Sequence, residues 1–289
     1  MPSSPDFTGL WIPLITPFHH GAVDHPALTR LVRHFASEGV SGFVACGSTG
    51  EAAALDKSEQ LAVLDTVLQA STGLPVVMGL SGYHMEQTLD WVKTLCQQPI
   101  AGLLVPAPHY IRPSQAGLQH WFTALADGAT QPLIIYDIPY RTGSQLTLET
   151  LLALAAHPNI RAIKDCGGDA NKTQALITDG RLQVLAGEDA QILATLTMGG
   201  VGAIAASAHL KTSQFVQVIN HLRRGELAQA QALWEPLPAL VQAVFAEPNP
   251  ALIKAALAHQ GLIHNELRLP MMPASAAGER RLLDTLLSL

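Results

Sequence analysis

The sequence predicts an α/β protein, a (β/α)8 TIM barrel with a C-terminal helical domain, and three observations carry that prediction. From Gly9 onward, short apolar runs alternate with amphipathic stretches, a pattern that implies a parallel sheet with right-handed crossovers. Eight such units can be counted, the number that closes a barrel. The 289 residues exceed the ~250 typical of that fold by enough for an appendage. A doubly wound open sheet is the competing topology, but the first run lacks the GxGxxG turn that such folds use for dinucleotides.

The apolar runs span 10–16, 42–45, 75–79, 101–105, 133–136, 160–164, 182–186 and 201–205. Each is short, rich in Val, Ile and Leu, and bounded by Gly, Pro or Ser, which reads as a buried strand. Helical periodicity occupies 26–37, 57–69, 86–96, 147–156 and 190–198. Past Gly225 the strands stop, and 226–246, 249–258 and 275–288 read as helices, with Glu247-Pro248-Asn249-Pro250 breaking the first from the second. The expected division is a barrel over 1–224 and a helical domain over 225–289.

Composition excludes several classes of function. The chain is 48% hydrophobic and 14% charged, with 17 basic and 23 acidic side chains, a formal charge of 17 − 23 = −6. Its basic residues are scattered, so no nucleic-acid partner is expected. Three widely spaced cysteines without a CxxC argue for reduced thiols. Residues 1–8 lack the basic region and apolar core of a leader, and no apolar run approaches the ~20 residues that span a bilayer. A cytoplasmic protein with no membrane partner is expected.

In a TIM barrel the chemistry sits where strands end. Of six lysines, only Lys164 ends an apolar run; the others (Lys57, Lys93, Lys172, Lys211, Lys254) lie in polar or helical contexts. Ile160, Ala162 and Lys164 share one face of their strand, which in a closed barrel points into a poorly solvated interior. There an ammonium is disfavoured and a neutral amine can attack a ketone to form a Schiff base. A lysine snorkelling from a strand end is the bland alternative. The preceding run ends on Tyr136, a phenol able to pass protons, and Arg141 five residues on offers a planar fork for a carboxylate. A rim aromatic and a surface ion pair are their structural alternatives.

Gly47-Ser48-Thr49-Gly50-Glu51 follows the second run, where converging backbone N–H groups suit a small anion such as a carboxylate; a glycine loop with a helix cap is the alternative. Tyr110 lies on the loop after the fourth run, where an exposed aromatic marks a contact. Gly199, Gly200 and Gly202 near the last strand support a rival, a barrel for a phosphorylated substrate, but no basic residue follows them closely. A zinc-dependent aldolase is a second rival, with His19, His20, His109 and His209 as loop candidates. No HxH or HExxH spacing appears, so scattered surface histidines are the better explanation, and no metal or other cofactor is expected.

These residues in this order resemble the dihydrodipicolinate synthase/N-acetylneuraminate lyase family of class I aldolases. The resemblance runs nearly end to end, through Gly47-Ser-Thr-Gly-Glu51, Arg112-Pro-Ser-Gln115, Tyr136 to Gly143, Ile163-Lys164, Gly187-Glu-Asp189, Glu247-Pro-Asn-Pro250 and Leu267-Arg-Leu-Pro-Met271. It implies a TIM barrel, usually a homotetramer, that activates pyruvate as a Schiff base. Tyr136-x-x-Pro139-x-Arg141-Thr142-Gly143 and Tyr110 look like the synthase branch rather than the sialic acid lyases. The roles implied are a Schiff-base lysine for Lys164 and proton donor and acceptor for Tyr136. Ser48 and Tyr110 would complete a proton relay, Tyr110 reaching in from a neighbouring subunit. Thr49 and the backbone of Ile204 would hold the pyruvate carboxylate, and Arg141 the carboxylate of L-aspartate 4-semialdehyde. The implied product is 4-hydroxytetrahydrodipicolinate. A pyruvate-dependent aldolase or dehydratase for a 2-keto-3-deoxy sugar acid or related 2-oxo acid, and a non-catalytic ligand sensor, are the competing functions.

Two departures from the family pattern stand out. Ser48 replaces the more usual threonine and keeps the hydroxyl. Asp137 replaces an asparagine common after the tyrosine, which adds charge beside the aldehyde site. The positions matching the allosteric pocket of lysine-inhibited synthases are Lys57, Gln60, Tyr83, Gln87 and His109, a set that predicts no effective inhibition by lysine.

Overall fold

The computed structural model describes residues 6–289, so the expectation for 1–5 lies outside the described residues. Eight parallel strands close into a barrel in the order β1-β10-β9-β8-β7-β6-β5-β4. They are β1 (Gly9–Pro13), β4 (Gly42–Ala45), β5 (Val76–Gly79), β6 (Gly102–Pro106), β7 (Leu133–Asp137), β8 (Ile160–Asp165), β9 (Gln183–Ala186) and β10 (Gly202–Ile204); β2 (Phe18–His19) and β3 (Ala22–Val23) form a separate hairpin. The barrel strands are buried along almost their whole length, as parallel strands covered by helices must be. The helices that follow them are α1 (His25–Ser37), α2 (Lys57–Ala70), α3 (Met85–Leu95), α4 (Gln115–Gly128), α5 (Pro139–Thr142), α6 (Leu148–Leu154), α7 (Ala170–Asp179), α8 (Ile192–Thr197) and α9 (Thr212–Arg223). Four more, α10 (Leu227–Trp234), α11 (Leu237–Val244), α12 (Ala251–His259) and α13 (Ala276–Leu287), end the chain.

The chain forms two compact units. One joins residues up to Gly9 to Val77–Ile204, and the other joins Leu10–Val76 to Ala205–Leu289, so the last four helices cluster with the first strands rather than alone. In the first unit, β6 to β9 pair in parallel, with one register shift between Leu133 and Ile134 on β7, and past it Tyr136 lies opposite Lys164 and Lys164 opposite Leu185. Asp169 caps α7 by accepting from the backbone N–H of Asn171 and Lys172, which fixes the first turn that carries Lys172. In the second unit β1 pairs with β4, and α2 opens with a reciprocal cap in which Asp56 accepts from Glu59 N and Glu59 accepts from Asp56 N.

Four local features differ from the sequence reading. The helix expected over 226–246 breaks into α10 and α11 at Glu235-Pro236, because the proline ring cannot donate to the helical ladder. The first strand ends at Pro13, short of residue 16. Arg141 lies on a short helix rather than a loop, with Pro139 at its first position and Gly143 (φ 73°) closing it in the left-handed conformation. The β2–β3 hairpin turns through His20 (φ 52°) and Gly21 (φ 78°), a two-residue turn with both central residues at positive φ.

Candidate active site

Parallel register places residues on the same face of adjacent strands side by side, and β7 and β8 bring Tyr136 and Lys164 together at their C-terminal ends. Both side chains are buried, and the Lys164 Nζ stands 4.3 Å from the centroid of the Tyr136 ring. Lys164 therefore does not snorkel to solvent. Gly187, just past β9, makes the space for it. A Cβ there would lie 2.8 Å from Lys164 Cγ and 2.5 Å from the Cys166 sulfur, closer than packed atoms approach. Cys166 borders the same space as a protonated thiol, since burial pushes its ionisation well above the ordinary range.

Asp137, the residue that departs from the family pattern, is buried and does not present a free charge. Its Oδ2 accepts from the Lys172 ammonium at 2.6 Å, and both side chains are nearly inaccessible. Lys172 also donates to the Leu146 carbonyl at 3.3 Å. Burial pushes the Asp137 carboxyl up from its usual range, and Lys172 opposes that shift. Asp165 is engaged beside it, taking a hydrogen bond from the Thr173 hydroxyl and another from Gly167 N. The reading of Lys172 as a lysine in a polar helical context missed this pair, which links residues 35 apart and has no sequence periodicity.

In the second unit, the loop after β4 carries Ser48, exposed, and Thr49, buried. The Thr49 hydroxyl accepts a hydrogen bond from Asn249 Nδ2 at 2.9 Å, so the Pro-Asn-Pro break between helices orients a candidate substrate-binding side chain. Glu51 closes the loop in the left-handed conformation (φ 52°), held by the buried Lys254 ammonium at 2.5 Å and by Arg268 N at 3.1 Å. Burial pulls the Lys254 ammonium below its usual range, and Glu51 pulls it back up. Arg268 in turn grips Glu59 with two hydrogen bonds of 2.6 and 2.7 Å. Asn249, Lys254 and Arg268 are assigned no role by the sequence; Asn249 and Arg268 lie in segments that carry the family resemblance, and Lys254 does not.

The remaining candidates divide. Tyr110 is 88% exposed, with a left-handed φ of 74°. Arg141 is exposed and its guanidinium lies 5.7 Å from the Tyr140 ring. Ile204 is buried in β10. Gly202 is explained by packing rather than by phosphate, since a Cβ there would lie 2.2 Å from the Gly9 carbonyl oxygen. His209 is not a surface histidine: it is buried, accepts from Ile15 N at 3.3 Å, and donates through Nδ1 to the Ala206 carbonyl at 2.8 Å. Desolvation pushes its ionisation down to about 4.

A closed parallel barrel that ends adjacent strands on a buried lysine and a tyrosine has the architecture of Schiff-base-forming barrel enzymes. Residues 6–288 match the Dihydrodipicolinate synthetase family. The "4-hydroxy-tetrahydrodipicolinate synthase 2" of Clostridium acetobutylicum is 36% identical over 271 residues, covering 92% of this chain and 95% of that protein. The crystal structure of the dihydrodipicolinate synthase from Thermotoga maritima superposes with a TM-score of 0.95 at 29% identity, covering 98% of each chain. The chloride-inhibited dihydrodipicolinate synthase from Acinetobacter baumannii, complexed with pyruvate, gives 0.94 at 29% identity, covering 97% of this chain and 98% of that one. The chain belongs to the dihydrodipicolinate synthetase family.

Proposed function

We propose that this chain is a class I, Schiff-base-forming lyase that condenses pyruvate with L-aspartate 4-semialdehyde to give 4-hydroxytetrahydrodipicolinate. The observation that carries the reading is the buried Lys164 Nζ lying 4.3 Å from the centroid of the Tyr136 ring, on paired strand ends. In this reading the neutral amine of Lys164 attacks the pyruvate ketone, and loss of water gives the imine. Loss of a methyl proton then gives an enamine, whose carbon attacks the aldehyde. Transimination by the substrate's own amine closes the ring and frees the lysine. Tyr136 donates and accepts the protons of the carbinolamine steps, relayed through Ser48 and a Tyr110 contributed by a neighbouring subunit. All strands of a parallel barrel end at one rim, which supports grouping residues that end different strands.

Thr49 and the Ile204 backbone bind the pyruvate carboxylate, and Arg141 receives the carboxylate of the aldehyde. The exposure and left-handed backbone of Tyr110 suit a side chain whose contact lies on another chain, consistent with a homotetramer. The barrel of 1–224 carries the chemistry, 225–289 form a helical domain, and the protein works in the cytoplasm. Among the described residues no helix is long and apolar enough to cross a membrane. Asp137 adds a charge beside the aldehyde site in the sequence reading; its pairing with Lys172 compensates that charge, which supports the aspartate semialdehyde reading.

Coupled turnover tests the proposal. Pyruvate with L-aspartate 4-semialdehyde supports steady turnover, whereas retro-aldol cleavage of 2-keto-3-deoxy sugar acids does not. The reverse pattern would reassign the acceptor, and no turnover with either would point to a ligand sensor.

A further inference from the structure

The His19-His20 pair plays no part in the chemistry above, and the structure gives it a setting that the sequence did not show. The β2–β3 hairpin presents His19 beside its two-residue turn. The segment after α12 crosses that turn: Gly21 N donates to Glu266 Oε1 at 2.6 Å, and the Arg268 guanidinium donates to the Gly21 carbonyl at 2.8 Å. These two anchors carry His264 to His19, their rings stacked 3.9 Å apart and 8° from parallel, and the His20 ring also stacks on His19 at 4.0 Å. Asp24, which caps α1 through Oδ1 by accepting from Ala27 N, completes the cluster. One ligand atom from each of His19, Asp24 and His264 lies within 4.8 Å of the others.

We propose that His19, Asp24 and His264 form a binding site for one divalent first-row transition metal, with zinc the best matched. Two imidazoles and a carboxylate are borderline donors that suit Zn²⁺, Cu²⁺ or Ni²⁺ rather than Mg²⁺ or Ca²⁺. Three protein ligands plus a water fill a tetrahedral zinc shell. Ligand atoms about 2.0–2.1 Å from zinc stand about 3.3 Å from one another, so from separations within 4.8 Å no pair has to close by more than about 1.5 Å. The parallel rings must also rotate so that their lone pairs converge. Both imidazoles are exposed, so that rotation meets no packed core. Neither buried thiol competes strongly, because desolvation raises the ionisation of Cys46 to about 12 and that of Cys166 well above its ordinary range. Metal binding would staple the hairpin to the C-terminal segment.

Calorimetric titration of tag-free protein with zinc chloride tests this. Wild type binds one equivalent and melts at a higher temperature when zinc is present. His19→Ala and His264→Ala each weaken binding at least about tenfold, since even an outer-sphere partner is worth that much. His120→Ala, an exposed histidine elsewhere, leaves affinity unchanged. A probe that needs no variant is diethyl pyrocarbonate footprinting of wild type by mass spectrometry, where zinc protects His19 and His264 but not His120. Absence of saturable binding, unchanged affinity in the His19 and His264 variants, or equal labelling of all three histidines with and without zinc would each overturn the proposal.

Discussion

Removing Lys172 while leaving Asp137 in place strands a buried carboxylate beside the strand ends that carry Tyr136 and Lys164. At 2.6 Å the gross attraction of two unit charges is about 6 kcal/mol for an effective dielectric constant near 20. Much of that offsets the desolvation of both groups, so the pair itself contributes little relative to apolar isosteres, whereas breaking it costs about 3–5 kcal/mol. Lys172→Met and Asp137→Asn are each expected to lose that amount in urea unfolding. The double variant is expected to lose under about 2 kcal/mol, a coupling well above the error of additivity. The sign with pH follows from the carboxyl. Burial already raises its folded ionisation, and loss of Lys172 raises it further. A group raised in the folded state stabilises at pH below its unfolded value and loses that contribution as pH rises through its folded value. Lys172→Met should therefore be less destabilised near pH 5 than near pH 8. Single variants that each cost under 1 kcal/mol, or an additive double, would refute the buried pair.

Four further outcomes follow from the same geometry. Gly187→Ala puts a methyl into the Lys164 stem and the Cys166 sulfur; kcat should fall steeply, with a stability loss of about 1–3 kcal/mol from overpacking, and an unchanged kcat would show that the lysine tolerates the shift. Asn249→Ala releases the Thr49 hydroxyl, and the KM for pyruvate should rise about tenfold, the equivalent of one net hydrogen bond, with a smaller change in kcat. His209 is neutral when buried, with its folded ionisation near 4 and below its unfolded value, so its contribution is complete above the unfolded value and fades as pH falls toward 4. Between pH 7 and pH 5 this linkage removes about 2 kcal/mol, readable as a narrowing of the stability gap between wild type and His209→Ala. L-Lysine at millimolar concentration should leave turnover unchanged, and strong inhibition would contradict the pocket reading made from Lys57, Gln60, Tyr83, Gln87 and His109.

What the chain reveals in one dimension is what repeats. Alternating strands and helices give the barrel because each strand is a continuous apolar run and each helix has one apolar face, and Tyr136 and Lys164 are legible because each ends such a run. Pairs that depend on the fold are silent. Asp137 and Lys172 sit 35 residues apart, and Thr49 and Asn249 sit 200 apart. The Pro236 break was hidden inside an apolar helical pattern whose periodicity continues on both sides of it. The hairpin at His20-Gly21 was overlooked because two-residue strands leave no alternation to count, although a residue followed by glycine between short flanks is the turn signal. His209 was placed among surface histidines because nothing local shows that Ile15 and Ala206 supply both of its hydrogen bonds.

The proposed chemistry requires the Lys164 amine to form the covalent bond to substrate. Incubation with pyruvate and sodium borohydride, followed by digestion and peptide mass spectrometry, should place one reduced pyruvyl group on Lys164 and abolish turnover in proportion to labelling. An unlabelled Lys164, or an adduct on another lysine, would contradict the account.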